Sequence, residues 1–520
     1  LPIVGAIVRL GTETKETDQN GVFLFRDVEV NSTRAYLEAS KAGYFEGSRT
    51  ILPQGGAIST VRIQLLPNEE IGTIAAAAGG DFVLPGGTVI SFPANSVQTL
   101  QGGIYNGTIH IAAQALDPTV QSTAMKMPGD LTGVDANDQK KALVTYGLLA
   151  IELRDDNGVL LQLARDQSLT VTLPLSDELV SSAPANTALW YFDAEEGTWK
   201  ESGTAQRSGN SYVGQIDQLT FWNAGVPFDL VEIRGKVVDP QGEPFSGIQV
   251  NVKYDRQALL QSGWTSSNGN YTAKVPAGAA LSLEILNECA NANTQREVGP
   301  FGENTVVPEL MVSDEEQLRT ITGKVFNCAN EPVANAYVKI NTGTSFQLFY
   351  TESDGDFNAS IIGCNSNETI RLVGANLGNN AQSAAFIFTT GNTIAAGNIL
   401  ACDGLEEYIS FTLDGERFLN TTPFAGKDNG ASITDFGGDT PGANLFMSDV
   451  MGAGLGNFNV DQLTVNGLVS DSSGLPNVTV TFTAYGDIGE VITGTFGGDF
   501  IDNAGTDHVI SGSFRIQRDN

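Results

Sequence analysis

Residues 233–238 read Ile-Arg-Gly-Lys-Val-Val, and residues 321–326 read Ile-Thr-Gly-Lys-Val-Phe. A second pair of matching stretches follows: residues 265–271 read Thr-Ser-Ser-Asn-Gly-Asn-Tyr, and residues 351–357 read Thr-Glu-Ser-Asp-Gly-Asp-Phe. The first stretch of one copy begins 88 positions before that of the other. This recurrence indicates two copies of one structural module, with the same parts in the same order.

Short runs in both copies alternate apolar and polar residues. Residues 248–254 read Ile-Gln-Val-Asn-Val-Lys-Tyr, and residues 336–340 read Ala-Tyr-Val-Lys-Ile. Alternation with a period of two is typical of half-buried β-strands, and Asn-Gly or Asp-Gly between such runs predicts a tight hairpin turn. Each copy is therefore predicted to form a small antiparallel sandwich of about seven short strands.

A shorter copy stands at the start of the sequence, where residues 17–23 read Thr-Asp-Gln-Asn-Gly-Val-Phe. All three copies resemble the carboxypeptidase regulatory-like domain, which implies a transthyretin-like fold of seven strands. The first copy lacks the strand that should precede Pro2, and no apolar signal segment is present. We therefore expect a secretion signal and part of the first strand to lie upstream of Leu1.

Two further regions, one between the first and second copies and one after the third, are also predicted to form strands separated by Gly, Asn and Asp turns. The earlier one, which includes the stretch Met127–Leu131, resembles the β-rich unit of cartilage intermediate layer proteins and of many Bacteroidota surface proteins. The later one resembles the terminal β-sandwich of Bacteroidota outer-membrane lipoproteins. The prediction is an all-β chain of serial sandwiches: repeat 1 (1–67), the middle module (68–228), repeat 2 (229–313), repeat 3 (314–403) and the C-terminal module (404–520).

Aromatic residues of the middle module allow two interpretations. Three of the four tryptophans lie here, Trp190, Trp199 and Trp222, together with Tyr191 and Tyr212. Such rings could form a platform on which sugars stack. We favour core packing, because these residues lie in or beside strand-like runs and large aromatic side chains dominate core burial.

The charge and hydropathy of the chain exclude several classes of partner. Its 28 basic and 60 acidic residues give a formal net charge of −32. Nucleic acids and anionic lipids require Lys and Arg for neutralisation, so neither is an expected partner. A run of at least about 18 apolar residues is the mark of a membrane-spanning helix, and the sequence contains none.

Four cysteines, Cys289, Cys328, Cys364 and Cys402, lie in repeats 2 and 3 without a Cys-x-x-Cys pair. They predict disulfides in an oxidising compartment, and four cysteines allow three pairings. If successive strands run antiparallel, Cys328 and Cys402 lie at the same end of repeat 3. We therefore predict a Cys328–Cys402 bond within repeat 3 and a Cys289–Cys364 bond between the repeats.

Little in the sequence points to catalysis or a cofactor. The only two histidines, His110 and His508, lack a His-x-x-Glu zinc motif, and no Gly-x-Ser-x-Gly nucleophile elbow is present. We expect His110 on a strand surface and His508 in a solvated hairpin turn. Oxygen ligands in the repeat turns could hold calcium, but ordinary turn chemistry explains these residues without a metal. They are Asp18, Asn20, Asp354 and Asp356.

These observations predict a protein without catalytic activity, cofactor or metal. The leading hypothesis is a lipoprotein on the outer-membrane surface, anchored by a lipid upstream of Leu1, that serves as a scaffold or accessory subunit of an outer-membrane protein assembly. The alternative is a carbohydrate-binding or adhesive surface protein, which could be secreted. A hydrolase with a pair of carboxylates is the third possibility.

Overall fold

The computed structural model describes residues 2–518 except 54, 255–257, 288–290, 313–317, 335, 343–344, 365–368, 389–391, 404–406, 429–431, 449, 451–453, 472–474 and 487–489. Strands make up 58% of the described residues and helices 2%. The all-β prediction is therefore confirmed. The chain divides into an N-terminal unit, Leu1–Leu286 with Ala292–Ser313, and a C-terminal unit, Asn287–Asn291 with Asp314–Asn520.

Repeat 1 forms one four-stranded sheet in the order β2-β1-β3-β4. Its strands are β1 (Ile7–Leu10), β2 (Glu13–Glu16), β3 (Ala35–Ser40) and β4 (Gly47–Ile51). Val8, Leu37, Ala39 and Leu65 form its buried core. The alternating burial of β3 follows from its sequence, because alternate residues of a strand face opposite sides of the sheet.

The middle module contains thirteen strands among the described residues and two four-residue helices. These elements are β5 (Gly72–Ala75), β6 (Gly80–Val83), β7 (Val89–Phe92), β8 (Val97–Thr99), β9 (Thr108–Leu116), α1 (Thr123–Lys126), β10 (Thr132–Val134), β11 (Lys140–Arg154), β12 (Leu161–Leu163), β13 (Leu169–Pro174), α2 (Asp177–Val180), β14 (Asn186–Asp193), β15 (Thr198–Ser208), β16 (Ser211–Ile216) and β17 (Phe221–Val238). The main path of its large sheet is β5-β9-β11-β17-β14-β15-β16-β13-β7-β6. Met127–Leu131 lies in the part of the sequence that is predicted to form strands separated by turns. These residues form a loop between α1 and β10, because Pro128 and Gly129 (φ +65°) interrupt an extended run.

Repeat 2 uses the second half of β17 as its first strand. Its other strands are β18 (Gln249–Tyr254), β19 (Ala258–Trp264), β20 (Asn270–Pro276), β21 (Leu281–Leu286), β22 (Ala292–Val298), β23 (Thr305–Val306) and β24 (Leu310–Met311). Four of them form the sheet β19-β18-β21-β22. On the other side, β17 pairs antiparallel with β20 and parallel with β23 and β24.

Repeat 3 has the same arrangement, except that its single last strand takes the place of β23 and β24. Its strands are β25 (Leu318–Phe326), β26 (Ala336–Thr342), β27 (Ser345–Tyr350), β28 (Asp356–Ile362), β29 (Ile370–Asn376), β30 (Phe386–Phe388) and β31 (Thr393–Leu400). They form the sheets β28-β25-β31 and β27-β26-β29-β30 around one core. The prediction of seven strands per repeat is thus met in the described part of repeat 3.

The C-terminal module is a second type of sandwich, with a six-stranded sheet β33-β32-β42-β41-β40-β37 and a five-stranded sheet β34-β35-β36-β38-β39. Its strands are β32 (Tyr408–Leu413), β33 (Glu416–Asn420), β34 (Pro423–Asp428), β35 (Ser432–Thr440), β36 (Ala443–Ser448), β37 (Gly456–Asn459), β38 (Gln462–Val465), β39 (Leu468–Val469), β40 (Asn477–Tyr485), β41 (Val491–Ile501) and β42 (Asp507–Gln517). Its core contains Phe411, Phe436, Phe482 and Phe514.

Steric demands explain the glycines of the repeated motif. The glycine of the first strand lies under the aromatic ring that follows the turn. A Cβ atom on Gly235 would lie 2.3 Å from the hydroxyl oxygen of Tyr271, and one on Gly323 would lie 2.8 Å from Cε1 of Phe357. Both distances are shorter than any normal contact, so only glycine fits.

The threonine that opens each turn holds the chain in the same way in all three copies. The Thr265 hydroxyl donates to the Phe245 carbonyl (2.8 Å) and accepts from the backbone N–H of Ile248 (3.1 Å). Thr351 makes the same two bonds in repeat 3. In repeat 1, Thr17 donates to the Ile3 carbonyl (2.6 Å) and accepts from the N–H of Ala6 (2.8 Å). The three copies therefore share this local arrangement, although the described residues of repeat 1 form one four-stranded sheet rather than the seven strands expected of the module.

Replacing Gly269 with alanine should destabilise repeat 2 more than the same change at Gly278. Both residues have positive φ (+74° and +72°), which costs an alanine about 1–2 kcal/mol. A Cβ on Gly269 would also lie 2.7 Å from the Val237 carbonyl oxygen, whereas Gly278 has nothing within 4 Å. We expect a further loss of about 1–2 kcal/mol from overpacking at Gly269 alone. Urea unfolding of both variants measures the difference, and equal losses would contradict the steric explanation.

Candidate functional site

The modules of the N-terminal unit are joined by a strand that belongs to two of them. Residues 221–229 of β17 pair with β11, and Leu230–Lys236 pair with β20. The boundary predicted between residues 228 and 229 therefore falls inside an uninterrupted strand. Backbone hydrogen bonds on both sides of the boundary hold the middle module and repeat 2 in one fixed register.

The loop between β9 and β10 of the middle module, residues 117–131, is where repeat 1 attaches. The guanidinium of Arg49, at the middle of β4, is buried and donates to the carbonyl oxygens of Met127 and Ala124. The N–H of Gly129 donates to the Ser48 hydroxyl (3.0 Å), and the N–H of Gln64 donates to the Met125 carbonyl (2.9 Å). Burial lowers the pKa of Arg49 to about 10, and nearby Asp130 opposes that shift.

Repeat 2 contacts the same loop. Nζ of Lys274, on β20, lies 3.1 Å from Oδ2 of Asp130, and both side chains are largely buried. The indole N–H of Trp199 donates to the backbone carbonyl of Asp130 (2.9 Å), which fixes the loop to the core of the middle module. Asp130 thus lies between a cation from each repeat. We call the loop 117–131 with Arg49 and Lys274 the N-terminal junction.

Repeats 1 and 2 also contact each other directly. The backbone N–H of Ile58 donates to the Ser267 hydroxyl (3.1 Å), and the backbone N–H of Ser267 donates to the Ile58 carbonyl (3.1 Å). The guanidinium of Arg62 lies 5.1 Å from the ring centroid of Trp264, within the range of a cation–π interaction. The three modules of the N-terminal unit therefore make contacts in every pairwise combination.

A network of buried polar side chains joins repeat 3 to the C-terminal module. Asn330 donates to the Phe418 carbonyl (2.9 Å) and accepts from the Ser410 hydroxyl (2.9 Å). Asn398 of β31 donates its side-chain amide to Ser410 (3.0 Å), and its backbone N–H donates to Ser513 (2.7 Å). A Cβ on Gly397 would lie 2.5 Å from that of Ser513, so the two modules pack backbone to backbone here. We call this network the C-terminal junction.

The Cys328–Cys402 disulfide lies beside the C-terminal junction. It joins the segments that follow β25 and β31, and Cys402 packs against the core of repeat 3. This is the pairing within repeat 3 that the strand-parity argument predicts, because β25 and β31 run parallel and end at the same side. Cys364 is also disulfide-bonded. Its predicted partner, Cys289, lies outside the described residues.

The tryptophans of the middle module belong to its core. Trp190, Trp199 and Trp222 are fully buried, and the Trp199 ring packs edge-on against Phe192 with centroids 5.2 Å apart. The interpretation as core packing is confirmed for these three residues. A sugar-stacking platform built from them is wrong, because no face of their indole rings reaches solvent.

The two histidines lie in different surroundings. His110 lies on the surface of β9, as predicted, with Nδ1 2.8 Å from Glu70 and Nε2 3.1 Å from Asp156. The prediction of a solvated turn for His508 is wrong. His508 lies in β42, packs against the Phe500 ring and is only 11% exposed. Among the described residues, no group of three or more His, Cys, Asp or Glu side chains is arranged to hold a metal ion.

The repeat turns use their carboxylates as hydrogen-bond acceptors and ion-pair partners. Oδ1 of Asp18 accepts from the backbone N–H groups of Asn20 (2.8 Å) and Val22 (2.9 Å). In repeat 3, Nζ of Lys324 lies 3.4 Å from Asp354 and 3.1 Å from Asp356. A backbone hydrogen bond from Asp356 and the charge of Lys324 lower the pKa of Asp354. A lysine ammonium thus stands where a cation would have to bind in that turn.

Sequence reasoning missed both junctions. The strand of Arg49 reads Gly-Ser-Arg-Thr-Ile and carries no apolar alternation, although four of its five residues are buried. The residues that neighbour Asn330 and Ser410 in the sequence are polar or mixed, and they do not distinguish these two positions from ordinary surface residues. A buried arginine inside a predicted strand, followed by small residues, is the one signal that could have pointed to a contact between modules.

Comparison with known proteins gives partial similarities. No family model matches the chain. A stretch of 138 residues is 30% identical to mouse cartilage intermediate layer protein 2, and it covers 26% of this chain and 11% of that protein. The human protein is 26% identical over 132 residues, with 25% and 11% covered. The chain therefore spans about a tenth of the length of the curated relatives it matches.

Solved structures with some likeness include a bacterial pilin and another bacterial protein. A shaft pilin from Lactobacillus rhamnosus GG is 12% identical, covers 33% of this chain and 98% of the pilin, and gives a TM-score of 0.18. The Bacillus anthracis TIE protein is 13% identical, covers 86% of this chain and 73% of its own, and gives a TM-score of 0.15. No helix among the described residues has the length and apolar character needed to cross a membrane. The similarity that the sequence carries is the partial one to cartilage intermediate layer protein 2.

Proposed function

We propose that this chain is a non-catalytic extracellular protein of the cell surface that holds β-modules in fixed positions as a scaffold. The observation that carries the proposal is β17, whose residues 221–238 belong to the sheets of two modules at once. A tether would need only a few exposed residues between domains. A shared strand instead fixes the distance and the rotation of one module relative to the next.

Two further features support a scaffold outside the cell. The Cys328–Cys402 bond favours an oxidising compartment, because reduced cytosol keeps most thiols unpaired. The two sheets of repeats 2 and 3, with parallel first and last strands, agree with the proposed carboxypeptidase regulatory-like membership. The outer-membrane placement, the lipid anchor and the membrane protein partner rest on the resemblance to Bacteroidota surface proteins alone.

An adhesive role is the second candidate, and exposed aliphatic side chains favour it. The β8–β12 flap (residues 97–105 and 158–163) carries Leu100, Ile104 and Leu160, which are between 39% and 54% exposed. Strand pairing places them near one another, because Gln98 lies opposite both Ile104 and Gln162. Apolar side chains grouped in solvent are typical of protein contact sites. Adhesion through this flap would be to protein rather than to sugar.

Distance measurements between spin labels test the scaffold. Asp166 and Gln241 are exposed residues on the two sides of the β17 boundary, so their cysteine variants can carry one label each. We expect one narrow distance distribution in the intact chain. Inserting Gly-Ser-Gly between Asp229 and Leu230 should broaden it, because the two halves of β17 would no longer be one continuous strand and only the contacts of the N-terminal junction and of repeat 1 would hold them. A broad distribution before the insertion would count against the scaffold.

The cellular part of the proposal has its own test. Proteolysis of intact cells should remove the β-modules, and mass spectrometry of the native N-terminus should find a lipid. An unmodified terminus on a protein recovered only from culture medium would remove the lipoprotein proposal and favour a secreted adhesin. Hydrolase activity in the purified chain would overturn the proposed absence of catalysis.

A further inference from the structure

The chain has two histidines, and both bridge a pair of carboxylates. His110 lies between Glu70 (Nδ1 to Oε2, 2.8 Å) and Asp156 (Nε2 to Oδ1, 3.1 Å). His508 lies between Asp414 (Nδ1 to Oδ2, 2.6 Å) and Asp502 (Nε2 to Oδ2, 3.4 Å). In each case the two carboxylates come from different turns or segments of the same module.

This geometry belongs to the charged form of the ring. A neutral imidazole has one N–H donor and one lone pair, whereas an imidazolium has two donors. Ionised carboxylates only accept hydrogen bonds. With an acceptor at each nitrogen, both contacts are satisfied only after the ring gains a proton. In the neutral ring one lone pair would face a carboxylate oxygen, and that contact would be repulsive.

The His110 bridge holds the base of the β8–β12 flap. Asp156 lies in the turn that leads from β11 to β12, and its Oδ2 accepts from the Tyr105 hydroxyl (3.0 Å). The backbone N–H of Asp156 donates to the same hydroxyl (3.3 Å). Glu70 lies in the segment before β5. The imidazolium therefore ties the turn that supports the flap to the edge of the large sheet.

The His508 bridge ties two hairpin turns at one end of the C-terminal module. Asp414 lies in the turn between β32 and β33, and its Oδ1 accepts from the N–H of Val509 (2.9 Å). Asp502 organises the turn between β41 and β42, where its Oδ1 accepts from the N–H groups of Ala504 (2.9 Å) and Thr506 (2.8 Å). Losing the proton on His508 would release one carboxylate of this pair.

The neighbouring charges do not replace the imidazolium. Across from His110, β5 presents Thr73 and β11 presents Arg154. The Arg154 guanidinium is held by Glu152 (2.6 Å) and by the Gly158 carbonyl (2.7 Å). Asp155 uses its Oδ1 to accept from backbone N–H groups in the same turn.

Around His508, β41 presents the ring of Phe500, and the preceding residue on β42 is Asp507. The groups named at this bridge are therefore three carboxylates and one aromatic ring. Nothing among them can neutralise Asp414 and Asp502 once the imidazolium has lost its proton.

We propose that the two histidines are pH-sensitive clamps, closed as imidazolium and open as neutral imidazole, which fasten the β8–β12 flap and the turns of the C-terminal module in mildly acidic surroundings. The His110 clamp controls how firmly the flap, with its exposed aliphatic side chains, is held. The proposal stands apart from the scaffold function, because it concerns turns within modules and not the junctions between them.

The direction of the pH effect follows from the hydrogen bonds. Glu70, and then Asp156, raise the pKa of His110 above its ordinary value. Asp414 is the largest cause of the raised pKa of His508, and Asp502 adds to it. A group with a raised pKa in the folded protein contributes stability that is fully present below the unfolded pKa of about 6.5. That contribution is lost as the pH rises through the folded pKa.

NMR titration of the full chain, labelled with ¹³C-histidine, tests the clamps. The variant H110Q leaves only the His508 signal, and H508Q leaves only the His110 signal, so the two variants together assign both signals. We expect both pKa values above about 6.5. The variants E70Q/D156N and D414N/D502N should each bring the affected histidine back toward that value, while D166N, a change of an exposed aspartate, should leave both unchanged.

Amide hydrogen exchange gives a structural readout. It would not change with pH if the histidines gained and lost protons without affecting the turns. Protection of the N–H groups of Asp156, Ala504 and Thr506, corrected for the intrinsic rate, should fall between about pH 5.5 and about pH 8.5. The fall should vanish at Asp156 in H110Q and at the other two in H508Q. Histidine pKa values at or below about 6.5, or protection that does not change with pH, would overturn the proposal.

Discussion

Replacing Arg49 with alanine should lower the free energy of unfolding of the N-terminal unit by about 2–5 kcal/mol, the cost of leaving two buried carbonyl acceptors without a donor. Arg49 is buried, and its guanidinium supplies both hydrogen bonds to the Met127 and Ala124 carbonyls. An alanine leaves these carbonyl oxygens without donors and opens a cavity at the N-terminal junction. Buried acceptors without partners carry their full desolvation penalty.

Tryptophan fluorescence provides a clean measurement of this change. All four tryptophans of the chain lie in the N-terminal unit, at positions 190, 199, 222 and 264. Denaturant titration of the full chain followed by this signal therefore reports on that unit alone. The matched control is Arg165→Ala, whose side chain is 93% exposed and should change stability by less than about 0.5 kcal/mol. Equal effects of the two substitutions would contradict the role given to the junction.

Removing the disulfide with Cys328→Ala and Cys402→Ala should destabilise the C-terminal unit by about 4 kcal/mol. The bond closes a loop with a sequence separation of 74 residues, and closing a long loop restricts the unfolded chain strongly. It also lies beside the C-terminal junction, where Asn330 and Asn398 depend on the position of the same segments. The loss should therefore appear both in repeat 3 and in its contact with the C-terminal module.

The effect is measured by following the unfolding of the two units with separate signals. Circular dichroism of the β-signal should show an earlier transition in the double variant, while the tryptophan signal should keep its midpoint, because no tryptophan lies in the C-terminal unit. A shift of both signals would mean that the bond stabilises more than repeat 3. An unchanged β-transition would show that the disulfide adds nothing to this module.

The sequence was sufficient for those features whose causes are local. The Asn-Gly and Asp-Gly turns, the strands β18 and β26, and the glycines at 235 and 323 depend on neighbours a few positions away or on strand pairing within one repeat. The half-buried character predicted for the two strands is wrong, because β26 is buried on both faces and β18 buries three consecutive residues. Such patterns recur in each copy and can be compared. The Cys328–Cys402 pair followed from them as well, because strand count alone decides which strand ends lie together.

The junctions could not be predicted because their partners are distant and chemically ordinary. Arg49 meets carbonyl oxygens 75 and 78 positions away, and any residue could have supplied these. Ser513 reaches Asn398 across 115 positions. His508 illustrates the same limit within one module: Asp507 beside it suggested a solvated turn, yet the partner of its Nδ1 is Asp414, 94 positions earlier.

The continuity of β17 has a consequence for how such a protein could be assembled or divided by recombination. A gene segment divided between residues 228 and 229 would leave β20 and β23 their pairing partners, which are residues 230–236 of β17. It would, however, break the continuous strand that joins repeat 2 to the sheet of the middle module. Repeat 3 has its own first strand, β25, and loses nothing comparable at its start. Residues 68–313 should therefore be inherited together. When modules are exchanged between related genes, the recombination point should lie near residue 314 rather than near residue 229.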